Sequence, residues 1–272
     1  MQDRRHDQED ADTIHLHGEE DFASMRQAGR LAAELLDYIT PFVVLGARTG
    51  DLDELCEKYT QEHGGISAPL GYRGYPRSTC MSINHVVCHG IPGDKKLEEG
   101  DIVNIDVTPT LDGWHGDTSR MFCIGDKVSI KARRLVDITY ECLMLGIAAV
   151  KPGATLGDVG HAIQRHAEAA NFSIVRDFCG HGIGKIFHCQ PSVLHYGSPG
   201  HGTVLQQGMI FTIEPMVNAG KYDVKVLSDG WTAVTKDKSL SAQFEHTIGV
   251  TETGAEIFTL SPKGWNKPPY NL

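Results

Sequence analysis

One ten-residue phrase is written twice in this chain, and that repeat constrains the architecture more than any other feature. Residues 97–106 read Leu-Glu-Glu-Gly-Asp-Ile-Val-Asn-Ile-Asp, and residues 205–214 read Leu-Gln-Gln-Gly-Met-Ile-Phe-Thr-Ile-Glu. Each is a turn-closing glycine followed by a β-branched strand that ends on a carboxylate. Upstream, His89-Gly90-Ile91-Pro92-Gly93 is echoed by Tyr196-Gly197-Ser198-Pro199-Gly200. Further back, Gly46-Ala47-Arg48-Thr49-Gly50-Asp51-Leu52 is echoed by Gly153-Ala154-Thr155-Leu156-Gly157-Asp158-Val159. The offset stays at 107–108 residues, so one supersecondary unit occurs twice. Two such copies pack about a pseudo-twofold axis, which brings Asp106 and Glu214 to equivalent positions facing it. Two carboxylates meeting at the centre of a fold need a reason.

With 272 residues and 40% apolar content, the chain can bury one large core or two smaller ones. The repeat favours a single domain over residues 21–262, with halves at about 21–128 and 129–262. Residues 1–20 are polar, acidic and sprinkled with histidine, and are expected to form a disordered tail in which His15 and His17 are solvated. Residues 263–272 form a C-terminal tail rich in proline and aromatics, and the sequence leaves its packing open. The net charge of −10 argues against a nonspecific grip on nucleic acid or an anionic membrane surface, and no specific nucleic-acid partner is expected. No apolar run approaches the roughly 18 residues of a membrane span. Seven cysteines with no CxxC pair suit a reducing, cytoplasmic compartment better than a disulfide framework or a structural zinc site. A monomer is the default oligomeric state.

Residues 20–39 carry acids at their start and an apolar stripe through Met25, Leu31, Leu35, Leu36 and Ile39, which predicts a helix that Pro41 stops. Thr49 is placed to N-cap a second helix that ends at Gly64-Gly65. The second copy repeats this order with helices over 129–150 and 155–170. Elsewhere the periodicity shortens to two, which predicts strands over 79–84, 102–108, 114–124, 174–178, 209–217, 231–235, 241–251 and 256–260. Paired helices followed by antiparallel strands, twice over, make an α+β architecture with helices backing one sheet face.

Asp106 and Asp117 fall on successive strands joined near Leu111-Asp112-Gly113. A two-residue turn at Asp112-Gly113 sets them diagonal on one face, and a turn at Leu111-Asp112 sets them directly opposite. Either register brings their Cβ atoms to on the order of 5–8 Å. A solvated surface pair would be the ordinary outcome for such spacing. Here the strand Ile102-Val103-Asn104-Ile105 is too apolar for an open rim, the repeat aims Glu214 at the same place, and Glu245 sits in a further strand of the second half. Four carboxylates in one partly buried pocket repel by many kcal/mol unless protonated or neutralised. Two divalent cations remove that cost. In Gly180-His181-Gly182-Ile183-Gly184 a histidine in a glycine cradle offers a fifth ligand, whereas His85, His115, His161, His166, His195, His201 and His246 read as ordinary core or surface histidines.

Six motifs now stand in order: Cys88-His89-Gly90-Ile91-Pro92, Asn104-Ile105-Asp106-Val107-Thr108, His115-Gly116-Asp117-Thr118, Gly180-His181-Gly182-Ile183-Gly184, Thr212-Ile213-Glu214-Pro215 and Gln243-Phe244-Glu245-His246-Thr247. Together, over about residues 20–260, they resemble the bacterial type I methionine aminopeptidases. That resemblance implies the pita-bread fold, with pseudo-symmetric halves and a central dinuclear metal site. It implies that Asp106 and Asp117 chelate one ion, that Asp117 and Glu245 bridge, and that His181 and Glu214 complete the second. Hard oxygens with one imidazole suit Mn, Fe or Co, with Zn admissible. The resemblance also implies a monovalent cation near Asn84, Val86 and Ser241.

Two ions sharing a water make a hydroxide available at neutral pH, polarise the scissile carbonyl and anchor a free α-amine. Glu214 then serves as proton shuttle. By resemblance, His89 contacts the scissile amide nitrogen and His188 stabilises the tetrahedral intermediate. Cys88 beside His89 is not a thiol dyad on the expectation that adjacent strand residues point to opposite faces. Tyr72, Tyr75, Cys80, Phe187 and Trp231 match the family's methionine pocket, and Pro69 stands where many bacterial members carry a wall cysteine. The implied activity removes N-terminal methionine from nascent proteins and peptides with a small second residue, with at most transient ribosome association. A proline-directed peptidase of the same fold is the first alternative, expected to carry a further N-terminal domain. A non-enzymatic binding relative is the second, expected to have lost ligands that this chain keeps.

Overall fold

The computed structural model describes residues 11–270. Four helices and one large sheet carry the site. Helix α1 (Glu19–Ile39) and helix α2 (Thr49–Glu62) belong to the first copy, and α3 (Ile130–Ala148) and α4 (Leu156–Ala169) to the second. The sheet has eight strands: β1 (Thr79–Ile83), β2 (Ile102–Val107), β3 (Thr118–Cys123), β4 (Gly180–Gly182), β5 (Cys189–Val193), β6 (Ile210–Ile213), β7 (Glu245–Val250) and β8 (Ala255–Ile257). Their order is β5-β4-β6-β7-β3-β2-β1, with β8 against β7, and every pairing is antiparallel.

The two copies meet where β7 pairs with β3, through Glu245 opposite Ser119 and His246 opposite Thr118. The repeated phrases make the same bonds. The Gly46 amide donates to the Leu97 carbonyl, and the Gly153 amide to the Leu205 carbonyl, each at 2.9 Å. Gly100 and Gly208 sit at φ of 93° and 92°, a left-handed conformation that glycine adopts without strain. The halves differ at one cap. Thr155 accepts from the Asp158 amide and caps α4, but Thr49 is not the cap of α2, which falls on Arg48. The Thr49 hydroxyl instead exchanges bonds with Gly93, at 2.9 and 3.2 Å, tying the helix start to the loop before β2.

Each helix pair buries most of its apolar stripe on its own half, while the start of α1 packs Phe22 and Met25 with Ile183, Ile210 and Phe258 of the second. Leu35, Leu36, Ile39, Leu52 and Cys56 pack on Val103, Ile105 and Phe122. Leu135, Leu143, Ile147, Val159 and Ile163 pack on Phe211, Ile213 and Ile248. Under the first half, Arg120, 1% exposed, pairs with buried Asp37 at 2.5 Å, and the Ser261 hydroxyl donates to the same carboxylate. That contact and the Tyr270 hydroxyl, which donates to the Met121 carbonyl at 2.7 Å, dock the C-terminal segment on the body.

Several predicted elements shift. The N-terminal tail is not free over residues 11–20: Ile14 bridges to Gln190, and the His17 amide donates to the Gly208 carbonyl at 2.8 Å. The His17 ring also lies edge-on to Trp114 at 5.5 Å, so it is packed and not solvated. Residues 1–10 of the predicted tail, and 271–272, lie outside the described residues. The expected strand over 209–217 breaks at Glu214-Pro215, because proline lacks the amide that continues a ladder; Met216–Asn218 then pairs with Ser241–Gln243 in a separate sheet. The expected strand over 241–251 divides at Phe244, and that over 114–124 divides at Gly116-Asp117. Among the described residues, no helix is long and apolar enough to cross a membrane.

Candidate metal centre and active site

Every strand break places a carboxylate. Asp117 immediately precedes β3, Glu214 immediately follows β6, and Glu245 opens β7, while Asp106 lies within β2. The turn is Asp112-Gly113, with Leu111 opposite Trp114. The same register puts Asp106 opposite Ser119, so Asp106 and Asp117 are diagonal neighbours. The turn residue Asp112 has φ of 48° and Gly113 has φ of 82°, as a two-residue hairpin requires.

Ligand atoms of Asp117, His181 and Glu245 all lie within 4.8 Å of one another. The His181 Nε2 is 3.6 Å from Asp117 Oδ2 and 3.8 Å from Glu214 Oε1, too long for hydrogen bonds and close enough to share a cation. His181 Nδ1 lies 3.0 Å from the Gly182 carbonyl, which can only accept, so the proton sits on Nδ1 and the Nε2 lone pair faces the carboxylates. The cradle is steric: a Cβ on Gly182 would stand 2.0 Å from the Gln190 carbonyl oxygen, which lies in the irregular stretch of β5 between Cys189 and Ser192.

The charge balance calls for a cation. Asp106 Oδ1 is sealed from solvent with no hydrogen-bond partner. Burial first, then Asp117 and Glu214, push the Asp106 carboxyl well above the usual range. Glu245 is raised in the same way, by burial and then by Asp117, Glu214 and Asp106. Glu214 is pushed up to about 7, chiefly by burial. Burial opposes protonation of His181, yet the nearby carboxylates of Asp117 and Glu214 outweigh it and raise its pKa. Asp106, Glu214 and Glu245, three carboxyls that resist ionising, one of them with an orphaned oxygen, gathered with Asp117 around one imidazole fit divalent metal ions.

Neighbouring groups hold these ligands in place. The Thr108 hydroxyl donates to Asp117 Oδ1 at 2.8 Å, and the Thr212 hydroxyl donates to Glu214 Oε1 at 2.8 Å while accepting from the His181 amide. The Gln243 amide donates to Glu214 Oε2 at 3.2 Å. Buried His195 accepts from the Glu214 amide through Nε2 at 3.0 Å. Sequence reading passed over all four. A signal was available for some: Thr108, Thr212 and Gln243 each stand two residues from Asp106, Glu214 or Glu245, the spacing that shares a strand face.

The carboxylates floor a cavity of about 370 Å³ whose walls include Tyr72, Tyr75, Cys80, Phe187 and Trp231, together with Pro69. Tyr75 meets Trp231 edge-on at 5.1 Å, and its hydroxyl donates toward the Thr79 and Gly90 carbonyls. Tyr72 packs on Phe187 at 5.0 Å and stacks on His188 at 5.0 Å. His188 also lies 4.2 Å from the His181 ring, and burial, then the nearby His181 and Arg73, lower its pKa to about 2, so it stays neutral. His89 lines the same cavity edge-on to Phe178 at 5.4 Å, and burial lowers its pKa.

One expectation fails here. Cys88 and His89 do not face opposite ways, because His89 has φ of 56° and leaves the extended conformation; both line the cavity. What disarms the thiol is burial, which pushes the Cys88 pKa well above its usual value. Beside the cavity, the Asn84 carbonyl accepts from the Ser241 amide at 2.8 Å, Val86 opens the next strand, and the Ser241 hydroxyl is buried without a partner.

Residues 23–252 match the metallopeptidase family M24. The methionine aminopeptidase of Rickettsia prowazekii is 60% identical over 260 residues, covering 95% of this chain and all of that protein. The methionine aminopeptidase of Escherichia coli K12 is 57% identical over 249 residues, covering 91% of this chain and 94% of its own. A crystal structure of methionine aminopeptidase from R. prowazekii superposes with a TM-score of 0.90 at 59% identity, covering 91% of this chain and all of that one. Two pseudo-symmetric halves, an antiparallel sheet backed by paired helices and an acidic centre where the halves meet are the pita-bread fold, and the chain belongs to metallopeptidase family M24.

Proposed function

We propose that this chain is a metal-dependent aminopeptidase that removes the N-terminal methionine from nascent proteins and peptides with a small second residue. The observation that carries the reading is the juxtaposition of the carboxylate–imidazole cluster with an aromatic pocket containing Cys80. Aromatic walls beside sulfur suit a thioether, whose contacts with rings add roughly 0.3–1.5 kcal/mol each. The chain works as one catalytic domain over residues 21–262, as a cytoplasmic monomer whose partners are nascent N-termini and whose ribosome contacts are transient.

Asp106 and Asp117 would hold one divalent ion, His181 and Glu214 a second, with Asp117 and Glu245 shared between them. Mn, Fe, Co and Zn all suit this donor set. When bound, such ions acidify water, polarise a carbonyl oxygen and accept a free α-amine. A substrate whose α-amine lay at the Asp106–Asp117 end of the cluster would present only its first peptide bond to Glu214. Glu214 takes a proton from the attacking water and returns it to the departing amine. The neutral His188 and His89 donate N–H bonds, His188 toward the developing oxyanion and His89 toward the scissile amide. A monovalent cation held by Asn84, Val86 and Ser241 would satisfy the orphaned Ser241 hydroxyl.

Hydrolysis of Met-Ala-Ser, Leu-Ala-Ser and Pro-Ala-Ser tests this, after chelation and re-addition of Mn(II) or Co(II). The expected result is metal-dependent release of methionine from the first peptide alone. Metal-dependent release of leucine or proline at a similar rate would keep the chemistry and reject the pocket assignment.

A further inference from the structure

Six carboxylate and guanidinium side chains line the cavity: Asp106, Asp117, Glu214 and Glu245, which the metal reading uses, and Arg73 and Asp177, which it does not. Arg73 and Asp177 are both exposed, and neither takes part in any ion pair among the described residues. A cation with no carboxylate partner at the lip of a binding cavity is free to pair with what the cavity admits.

The placement of Arg73 is built. It occupies the middle of the turn Tyr72–Gly74 at φ of 48°, where the Tyr75 amide donates to the Tyr72 carbonyl at 2.9 Å. Tyr75, only 3% exposed, anchors the end of that turn in the cavity wall. The guanidinium carbon lies 5.2 Å from the centre of the Tyr72 ring, and that same ring stacks on His188. The cation therefore belongs to the wall that carries His188, at its solvent end.

A substrate whose amine sits on the acidic floor and whose first side chain fills the aromatic pocket must run outward past His188. At about 3.3 Å per residue, its third residue emerges about 7 Å beyond the first, at the lip. We propose that Arg73 is a specificity-determining residue that favours an aspartate or glutamate at the third substrate position. This inference rests on the aminopeptidase reading above. It runs against the rest of the molecule, since a net charge of −10 and the exposed Asp177 by themselves favour a basic third residue.

The test compares kcat/KM for Met-Ala-Asp-Gly-amide and Met-Ala-Lys-Gly-amide, using the Mn(II)-loaded full chain and its Arg73→Gln and Arg73→Glu variants. The acidic-to-basic ratio within each enzyme is the readout, so differences in metal loading or folding cancel. The wild-type ratio is expected to favour the acidic peptide by about three- to fivefold, the range of a partly exposed ion pair. It should fall to one or below in Arg73→Gln, fall further in Arg73→Glu, and shrink in wild type as salt is raised to 0.5 M. The same ratio in wild type and Arg73→Gln, or a wild-type preference for the lysine peptide, overturns the inference alone. Failure to release methionine from either peptide overturns it together with the reading on which it rests.

Discussion

Glu214→Ala abolishes turnover, by at least about a thousandfold, while the protein stays folded. Two losses combine in one substitution. On the proposed roles, the carboxylate that lies 3.8 Å from His181 Nε2 is lost both as a ligand and as the group that shuttles the proton. Removal of a positioned acid or base alone costs roughly 10²–10⁴-fold. The fold does not depend on it, because burial already makes this carboxylate hard to ionise, while the Gln243 amide keeps the backbone carbonyl of residue 214 and the Thr212 hydroxyl keeps the His181 amide as partners. Turnover measured with saturating Mn(II), alongside a thermal melt, checks this; near-wild-type turnover would remove Glu214 from the mechanism.

His89→Ala lowers kcat by about 10²–10³-fold, the usual effect of deleting one donor to a developing charge, and leaves metal content unchanged. His89 lines the cavity but lies outside the cluster formed by Asp117, His181 and Glu245. Its ring is held by Phe178 and Trp231, not by the carboxylates. The backbone at φ of 56° is a separate requirement, so His89→Asn is the companion variant, since asparagine tolerates that conformation. Metal analysis and steady-state kinetics on both variants separate the roles. Parallel loss of bound metal and kcat would make His89 a ligand.

The central architecture was legible because a repeat is a statement about packing. The phrases at 97–106 and 205–214 fixed the equivalence of β2 and β6, and with it the convergence of Asp106 and Glu214. The hairpin turn was narrowed to two registers, and Asp112-Gly113 prevailed because both residues take the left-handed conformation that a tight hairpin needs. The errors have a common origin. Alternation of period two continues through a residue that changes sheets, so the breaks at Gly116-Asp117, Glu214-Pro215 and Phe244 were invisible to it. The same blindness placed Cys88 and His89 on opposite faces, when one left-handed residue turns both toward the cavity. Thr49 looked like a cap by analogy with Thr155, but its hydroxyl is engaged by Gly93, a partner 44 residues away. The tail over 11–20 is ordered by contacts to Gln190, Gly208 and Trp114, which polar composition does not reveal.

Anomalous scattering from Mn(II)-loaded crystals tests the account at its centre. Two adjacent peaks are predicted, one held by Asp106 and Asp117, the other by His181 and Glu214, with Asp117 and Glu245 reaching both. A single fully occupied peak, or ions bound away from Asp106 and His181, would contradict the dinuclear site from which the proposed chemistry follows.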